Sequence, residues 1–302
     1  MKIGKNMPKR DEAKCSIEKL NYNLERSNYF HFCLFESESK IVMKGVLYYF
    51  SGTGNTKWVA DRFKEDFAFY NIDVDLFDMQ FLENKKSENY DFLIIGSPVY
   101  AEFPPKIVTD FLSEIDDLKR RMKAVVYSTQ AASSSSVPGF ISKCLVKKGY
   151  MPVIQISIKM PNNFYFVKGK KPDKNTIEKL LLKADEKVKG VVKSFVEGKS
   201  TIETVPFIRF EFNKIIYSMF KNRIPKLSKN ISSTEDCGKC GLCLRNCPES
   251  NITFEGGHAI FHSKCILCLR CIHICPINAV RYKGEKIDQT QKNIMKTLDL
   301  NR

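Results

Sequence analysis

Short apolar runs alternate with longer segments of helical period between residues 46 and 197 of this 302-residue sequence. Runs rich in branched and aromatic residues, which are typical of strands, cover 46–50, 72–77, 90–96, 123–129 and 153–158. Helical segments begin at 57 and cover 106–118, 138–148 and 175–197. Five strands that alternate with helices predict an α/β fold, a doubly wound five-stranded parallel sheet whose ligand lies beyond the carboxyl ends of the strands.

The loop after the first predicted strand combines hydroxyl, amide and glycine residues directly before a helix. It consists of Ser51, Gly52, Thr53, Gly54, Asn55 and Thr56. These side chains, and backbone N–H groups freed by the glycines, suit a phosphate at a helix N-terminus. A Walker loop would need Gly-Lys-Ser/Thr after a four-residue gap, and the dinucleotide fingerprint would need glycine at Lys57, so both are excluded. The loop resembles the FMN-phosphate loop of flavodoxins.

Two further loops follow the third and fourth predicted strands and are expected at the same edge of the sheet. Their candidate cofactor-binding residues are Ser97, Pro98, Val99, Tyr100, Ser128, Thr129, Gln130 and Ala131. In flavodoxin-like proteins these loops flank the isoalloxazine ring. The resemblance therefore implies stacking by Tyr100 and a hydrogen bond from Gln130 to the polar edge of the ring. The alternative for Tyr100 is a core tyrosine at a strand end.

One cysteine spacing occurs twice in the C-terminal part of the chain. The pattern Cys-x2-Cys-x2-Cys-x3-Cys-Pro spans 237–248 and again 265–276. Three cysteines at two-residue gaps enclose one corner of a 4Fe-4S cubane, and the fourth, before proline, reaches the other cluster. The spacing predicts two ligand sets: set one is Cys237, Cys240, Cys243 and Cys275, and set two is Cys265, Cys268, Cys271 and Cys247. Structural zinc is the alternative, but zinc usually draws on separated cysteine pairs.

With the doubled motif, residues 233–284 resemble the bacterial two-cluster 4Fe-4S ferredoxins. Together with the loop at 51–56, residues 43–285 resemble the fused flavodoxin-ferredoxin proteins of anaerobes, described as EFR1-family ferredoxins. The resemblance implies one FMN, two 4Fe-4S clusters, a flavodoxin-like domain at 43–200 and a C-terminal α+β two-cluster ferredoxin-like domain at 233–285. The other segments are predicted to be a poorly ordered extension at 1–42, a basic amphipathic connecting helix and linker at 201–232, and a frayed helix or tail at 286–302.

Two connecting segments depart from a plain flavodoxin. Residues 160–174 form a predicted loop rich in lysine, which is expected to begin near the flavin. Residues 207–224 carry an apolar stripe at helical spacing: Ile208, Phe212, Ile215, Ile216 and Met219. We interpret this stripe as packing between the two domains, because linked redox centres need a fixed separation. The alternative is a basic amphipathic helix that lies on a membrane.

Composition and charge indicate the class of protein and its partners. Hydrophobic residues make up 43% of the chain, no run of about 18 apolar residues is present to span a bilayer, and no secretory signal is visible. Eleven cysteines, eight of them in the motifs, fit a reducing cytoplasm. The formal charge of +15 falls to about +9 when two clusters and a phosphate are included. We expect acidic redox partners, a ferredoxin or a reductase, rather than nucleic acid, and peripheral membrane contact stays open.

These features predict an electron-transfer iron-sulfur flavoprotein that couples one-electron and two-electron carriers. No catalytic acid or base is needed, and the four histidines are expected to be structural or exposed. Two alternatives stay open. One is an FMN/iron-sulfur oxidoreductase that reduces a small molecule, in which the lysines of 168–174 recognise an anion. The other is a redox subunit that docks on a membrane or a protein complex.

Overall fold

The structure, a computed structural model, describes residues 43–81, 89–118, 120–298 and 300, with only the backbone of residues 207–211 and 214. The predicted extension at 1–42 lies outside the described residues. Two parts follow each other along the chain: a sheet unit, residues 43–202, and a cysteine unit, residues 229–298. Both belong to one compact body, Val42–Arg302.

Six parallel strands form the sheet. They are β1 (Lys44–Tyr49), β2 (Asp73–Asp78), β3 (Phe92–Pro98), β4 (Met122–Gln130), β5 (Tyr150–Lys159) and β6 (Thr201–Ile202). Their order is β2-β1-β3-β4-β5-β6, and every neighbouring pair is parallel. The predicted doubly wound α/β fold is confirmed, but the sheet has six strands rather than five. The two residues of β6 carry too little pattern to predict a strand.

Four helices cover the two faces of the sheet. They are α1 (Asn55–Phe69), α2 (Lys106–Glu114), α3 (Val137–Lys147) and α4 (Lys174–Val196). Helices α1 and α4 pack on one face around Phe63 and Val188, and α2 and α3 pack on the other around Phe111 and Ile141. The central strands are therefore buried on both faces, which explains why they appear in the sequence as continuous apolar runs.

The strand order reverses at β1, and this reversal positions the candidate site. Strand β2 lies on one side of β1 and β3 lies on the other. The loops that follow β1 and β3 therefore diverge at the carboxyl edge of the sheet, where doubly wound proteins bind their ligands. Residues 51–56 occupy this edge, beside the loops that follow β3 and β4.

One long helix, α5 (Phe207–Ser228), joins the two units. Tyr217 stacks on Phe103 of the sheet unit with ring centroids 4.8 Å apart. Further along the same side of the helix, Phe220 and Ile224 pack against the apolar core of the cysteine unit. No helix in the described ranges, α5 included, is both long enough and apolar enough to cross a membrane.

The predicted apolar stripe of α5 does not contribute to these contacts with the sheet unit and the cysteine unit. Its four described members are 36 to 61% exposed: Phe212, Ile215, Ile216 and Met219. The interpretation of the stripe as packing between the domains is therefore wrong for these four residues, while the side chain of Ile208 lies outside the described part. A neighbouring stripe that includes Tyr217 and Phe220 packs instead. Both stripes have helical period, so the period alone does not identify the covered one.

Short strands and short helices make up the cysteine unit. Its elements are β7 (Ile231–Ser233), α6 (Leu242–Arg245), β8 (Ile252–Glu255), β9 (His258–Phe261), α7 (Arg270–Ile274), β10 (Val280–Tyr282), β11 (Glu285–Lys286) and α8 (Lys292–Met295). Strands β11, β10 and β7 form one antiparallel sheet, and β8 and β9 form another. Left-handed residues turn each cysteine motif into its short helix: Gly241, with a φ of 74°, precedes α6, and Leu269, with a φ of 63°, precedes α7.

The C-terminal segment packs on the cysteine unit. Its buried apolar residues are Ile287, Ile294, Met295 and Leu298. Gln289 Nε2 donates hydrogen bonds to the carbonyl oxygens of Ile272 and Cys275, both at 2.7 Å. A short helix, α8, does lie in the segment predicted to be a frayed helix or tail, but the described residues are packed rather than frayed. The four apolar side chains are widely spaced, so the segment shows no clear period in the sequence.

Candidate cofactor sites

Residues 51–56, which comprise the loop after β1 and the first two residues of α1, are almost wholly buried. Gly54, with a φ of 96°, is the left-handed residue from which α1 begins. Within the described ranges, the backbone N–H groups from Gly52 to Lys57 have no hydrogen-bond acceptor, and the buried Ser51 Oγ has no partner. So many free donors at a helix N-terminus form a site suited to an anion.

Side chains from neighbouring segments brace this loop. Thr56 Oγ1 lies 2.8 Å from Thr129 Oγ1, and Tyr127 Oη donates to the Thr56 carbonyl oxygen at 2.9 Å. From the segment that follows β5, Asn163 Nδ2 donates to Thr53 Oγ1 at 2.5 Å. The segment 160–174 thus begins beside the candidate phosphate loop.

The loops after β3 and β4 bring polar groups to the same edge. Ser97 is fully buried, and its Oγ donates to the Pro98 carbonyl oxygen at 2.8 Å. Ser128 Oγ donates to Gln130 Oε1 at 2.9 Å, whereas Gln130 Nε2 is buried without a partner in the described structure. Ala131 is exposed. The unpaired Gln130 amide is a buried donor that a ligand would satisfy.

Tyr100 lies where the sheet edge meets the cysteine unit. A Cβ at Gly52 would approach Tyr100 Oη at 3.0 Å and the Cys268 carbonyl oxygen at 2.6 Å. Tyr100, Val99, Ile266 and Cys268 all pack against the same sheet core. Burial raises the pKa of Tyr100 well above its usual value, so the hydroxyl stays protonated. Flavin stacking by Tyr100 stays a prediction.

The residues of the loop fit the phosphate end of FMN. The free N–H groups, the unpaired Ser51 hydroxyl and the N-terminus of α1 supply donors for an anion. The two glycines of the loop have a second role that the sequence did not reveal. A Cβ at Gly52 or Gly54 would lie 2.6 or 2.5 Å from a backbone carbonyl oxygen of the cysteine unit, that of Cys268 or Ile294. The candidate phosphate loop is therefore also one of the contacts between the two units.

The motif cysteines lie near one another in the groups that the spacing predicts. Cys243 has the other three members of set one as electrostatic neighbours. Cys271 has the other three members of set two as neighbours, and also Cys243 of set one, so the two sets adjoin. All four cysteines of set two line one small cavity, together with apolar residues such as Ile252 and Phe261. The assignment of individual ligands to each cluster stays a prediction.

The thiols of these sets are buried and crowded. Burial, reinforced by neighbouring thiols, raises the pKa of Cys243 to about 11 and that of Cys268 to about 12. Metal binding would ionise such thiols and release protons. Among the described residues, no three His, Cys, Asp or Glu side chains converge as ligands of one metal ion. Tetrahedral zinc needs sulfurs about 2.3 Å from a single point, whereas a cubane spreads four thiolates over several irons, so the donor set fits 4Fe-4S clusters better.

The two sets differ in exposure. Set two faces the sheet unit, where Cys268 meets Gly52. Set one includes the exposed Cys240, beside an open cleft of about 490 Å³. Arg245, Lys292 and Lys296 line this cleft, and its described lining contains no acidic side chain. This cleft beside set one is therefore basic.

Two buried polar residues belong to the site although the sequence did not predict them there. Arg270 is 3% exposed and donates to the carbonyl oxygens of Ser51 and Gly52 at 2.7 and 3.0 Å. His273 is 2% exposed, with Nε2 3.1 Å from the Asn163 carbonyl oxygen, and burial lowers its pKa to about 4. Nothing in the local sequence marks Arg270, because each cysteine motif contains one Leu-Arg pair.

Comparison with known families agrees with this division of the chain. Residues 46–147 match the flavodoxin domain family, and residues 258–281 match the 4Fe-4S binding domain family. The chain joins a flavodoxin-type domain to a 4Fe-4S-binding segment. These matches imply FMN, at least one 4Fe-4S cluster, and a role in electron transfer with redox partners. No curated protein matches the sequence.

Solved flavodoxin structures are similar to part of the chain. A flavodoxin from the domain Archaea is 18% identical, with a TM-score of 0.35, over 50% of this chain and 99% of the other. Oxidised Flavodoxin 2 from Bacillus cereus is 21% identical, with a TM-score of 0.39, over 51% and 99%. Two-electron reduced Megasphaera elsdenii flavodoxin is 17% identical, with a TM-score of 0.33, over 47% and 98%. The fold assignment rests on the strand order and the family match.

Proposed function

We propose that this chain is an electron-transfer iron-sulfur flavoprotein of the EFR1 type. Loop 51–56 holds the phosphate of FMN, and each cysteine set holds a 4Fe-4S cluster. The observation that carries the proposal is the contact between the loop and set two, where Gly52 leaves no room for a Cβ against the Cys268 carbonyl. Bound clusters exchange single electrons, and FMN exchanges one or two. Set two is then the inner end of a relay, and set one, with exposed Cys240, is the outer end.

The residues themselves position the groups and exclude water. Backbone N–H groups donate to cysteine sulfurs at 3.2 to 3.4 Å in three pairs: Asn251 to Cys247, Leu267 to Cys265, and Ala279 to Cys275. Hydrogen bonds to the sulfurs and their burial are the features that set cluster potentials.

A substitution in set one tests the relay. Cys275→Ser should remove about half of the iron, because one 4Fe-4S cluster of two is lost. It should leave FMN bound and slow flavin bleaching by reduced ferredoxin, measured anaerobically by stopped flow. Cys144→Ser, outside both motifs, is the matched control and should change neither quantity. Full iron content in Cys275→Ser, or flavin bleaching at the wild-type rate, would contradict the proposal.

The basic cleft beside set one favours an acidic redox partner. Arg245, Lys292 and Lys296 would attract such a partner to the exposed end of the relay. The rate at which reduced ferredoxin reduces the protein should therefore fall steeply as ionic strength rises. Lys292→Gln should lower this rate at low salt. A rate that does not depend on salt would contradict the acidic partner.

A second candidate function, docking on an anionic membrane, is favoured by the exposed side of α5. Exposed residues recur there at intervals of three and four and define a docking face: Phe212, Ile215, Ile216, Met219, Arg223 and Lys226. Apolar side chains bordered by basic ones suit the interface of a membrane, because the stems of Arg and Lys stay apolar while their charges reach the headgroups. The formal charge of +15 complements anionic lipid.

Vesicles of equal parts phosphatidylglycerol and phosphatidylcholine test this candidate by flotation. The wild-type protein should float with them and Ile215→Glu should not. Phe69→Glu, at an 82% exposed position on α1, is the control and should still float. Flotation of Ile215→Glu, or equal flotation with pure phosphatidylcholine, would exclude the candidate. Loss of ferredoxin binding in Ile215→Glu would instead assign the face to a protein partner.

A further inference from the structure

Arg270, in the second cysteine motif, is buried and donates hydrogen bonds to residues of both units. Nε donates to the Gly52 carbonyl oxygen at 3.0 Å, and Nη2 donates to that of Ser51 at 2.7 Å. Nη1 donates to Gln80 Oε1 at 2.7 Å and to the Asn246 carbonyl oxygen at 3.0 Å. One guanidinium therefore connects the candidate phosphate loop, the segment after β2 and the first cysteine motif.

The charge of Arg270 has no carboxylate partner among the described residues. All four of its acceptors are neutral oxygens. A buried guanidinium without a counter-ion is costly, and such a group normally lies beside an anion. Arg270 lies beside two candidate anion sites, the loop 51–56 and Cys268 of set two. A phosphate and a thiolate-bound cluster at these sites would supply the negative charge.

The two bonds to the loop fix the orientation of consecutive peptide groups. In a planar trans peptide the C=O and N–H bonds point in opposite directions. Because Arg270 holds the carbonyls of Ser51 and Gly52, the N–H groups of Gly52 and Thr53 point away from the guanidinium. Neither N–H has an acceptor in the described chain. A cation on the carbonyl side also polarises these peptides and strengthens their N–H groups as donors.

We propose that Arg270 is a positioning residue that makes phosphate binding in loop 51–56 depend on the folded second cysteine motif. This inference rests on the proposed function, since it takes the 5′-phosphate of FMN as the anion and a 4Fe-4S cluster as the group that orders the motif. Linkage makes the dependence reciprocal, because whatever the cluster adds to FMN affinity, FMN adds to cluster retention. The chain then holds its flavin firmly only while set two is intact.

The test compares FMN with riboflavin, which lacks the phosphate, on the full cluster-loaded chain under anaerobic conditions. Quenching of flavin fluorescence gives the Kd of each flavin for the wild type, Arg270→Gln and Arg270→Lys. Arg270→Gln should weaken FMN binding by about 5- to 150-fold and leave riboflavin binding nearly unchanged. Arg270→Lys keeps the charge but not the planar fork, so its FMN affinity should lie between the other two.

Arg121→Gln is the control, because Arg121 is an exposed arginine that directly precedes β4, outside the loop and both cysteine motifs. It should leave both flavin affinities unchanged. A reciprocal measurement follows the rate at which a chelator removes iron. Added FMN should slow iron loss from the wild type but not from Arg270→Gln.

The outcomes separate this inference from the proposed function. If the wild type binds FMN and holds its clusters, but Arg270→Gln binds FMN equally well, the inference alone is overturned. Equal loss of FMN and riboflavin affinity in both Arg270 variants would reveal a general structural role and would overturn it as well. A wild-type chain that binds no FMN overturns both. Iron content and circular dichroism identify a variant that fails to fold. If Arg270→Gln fails to fold, the FMN and riboflavin affinities of Arg270→Lys decide the test.

Discussion

Gly96, near the end of β3, makes room for the ring that supports the start of α1. A Cβ at Gly96 would lie 2.2 Å from Tyr127 Oη and 2.3 Å from the ring carbon that carries it. Tyr127 is fully buried and donates to the Thr56 carbonyl oxygen, so its ring has no free space to move into. The geometry of the phosphate loop therefore depends on a missing side chain in the neighbouring strand.

Gly96→Ala should lower the free energy of unfolding by about 1 to 3 kcal/mol, because the added methyl overpacks a buried ring. Gly190→Ala is the matched control, since Gly190 lies in α4 with no atom within 4 Å of the added Cβ. The control should raise stability by about 0.5 to 1 kcal/mol. Anaerobic urea unfolding measures both, and a Gly96→Ala protein as stable as the wild type would contradict the overpacking.

At the scale of elements, α5 shows where periodicity stops being informative. Its apolar residues lie on two stripes, one covered and one exposed, and both repeat with the helical period. The cover over the buried stripe comes from segments distant in sequence, including Phe103 and Phe166. The sequence could therefore predict the helix but not which of its stripes would be covered.

Tyr217→Ala should destabilise the protein by about 1 to 3 kcal/mol, because it removes an aromatic contact and uncovers the buried ring of Phe103. Met219→Ala, two residues along the same helix and 54% exposed, should change stability by less than about 0.5 kcal/mol. Thermal unfolding of the two variants measures the difference. Equal effects would mean that the buried side of α5 has been assigned incorrectly.

Across the whole molecule, the two units differ in what holds them together. The sheet unit has two cores of fully buried apolar side chains around the sheet. The cores of the cysteine unit are small, and Cys247, Cys265, Cys271 and Cys275 pack directly against them. A unit of this size seldom folds on apolar burial alone.

Iron removal by a chelator should therefore unfold the cysteine unit and leave the sheet unit folded. Limited proteolysis of the chelated protein should cut between residues 233 and 285 and leave a resistant fragment that spans 43–200. The intact protein, treated identically without chelator, is the control. An unchanged cleavage pattern after complete iron loss would show that the cysteine unit folds without its metal.

The local pattern of the sequence was enough to predict the parallel sheet and the turn from β1 into α1, because both depend on neighbouring residues. Apolar runs marked the five longer strands, and Ser51 to Thr56 marked the loop between strand and helix. The spacing of the cysteines also predicted which thiols would be neighbours. The contact of Arg270 and Ile294 with the loop was not predictable in this way, since it joins segments more than two hundred residues apart.

Because of that separation, the ribosome makes the loop well before it makes the segment that covers the loop. Arg270 follows Gly52 by 218 residues, and a ribosome that adds about 5 to 20 residues per second needs about 10 to 40 s to make that length. During this interval the strands and helices of the sheet unit emerge and fold, while the segment that closes over the loop does not yet exist. Until Arg270 and Ile294 are made, residues 51–56 of the growing chain therefore lack the contacts that the finished protein places over them.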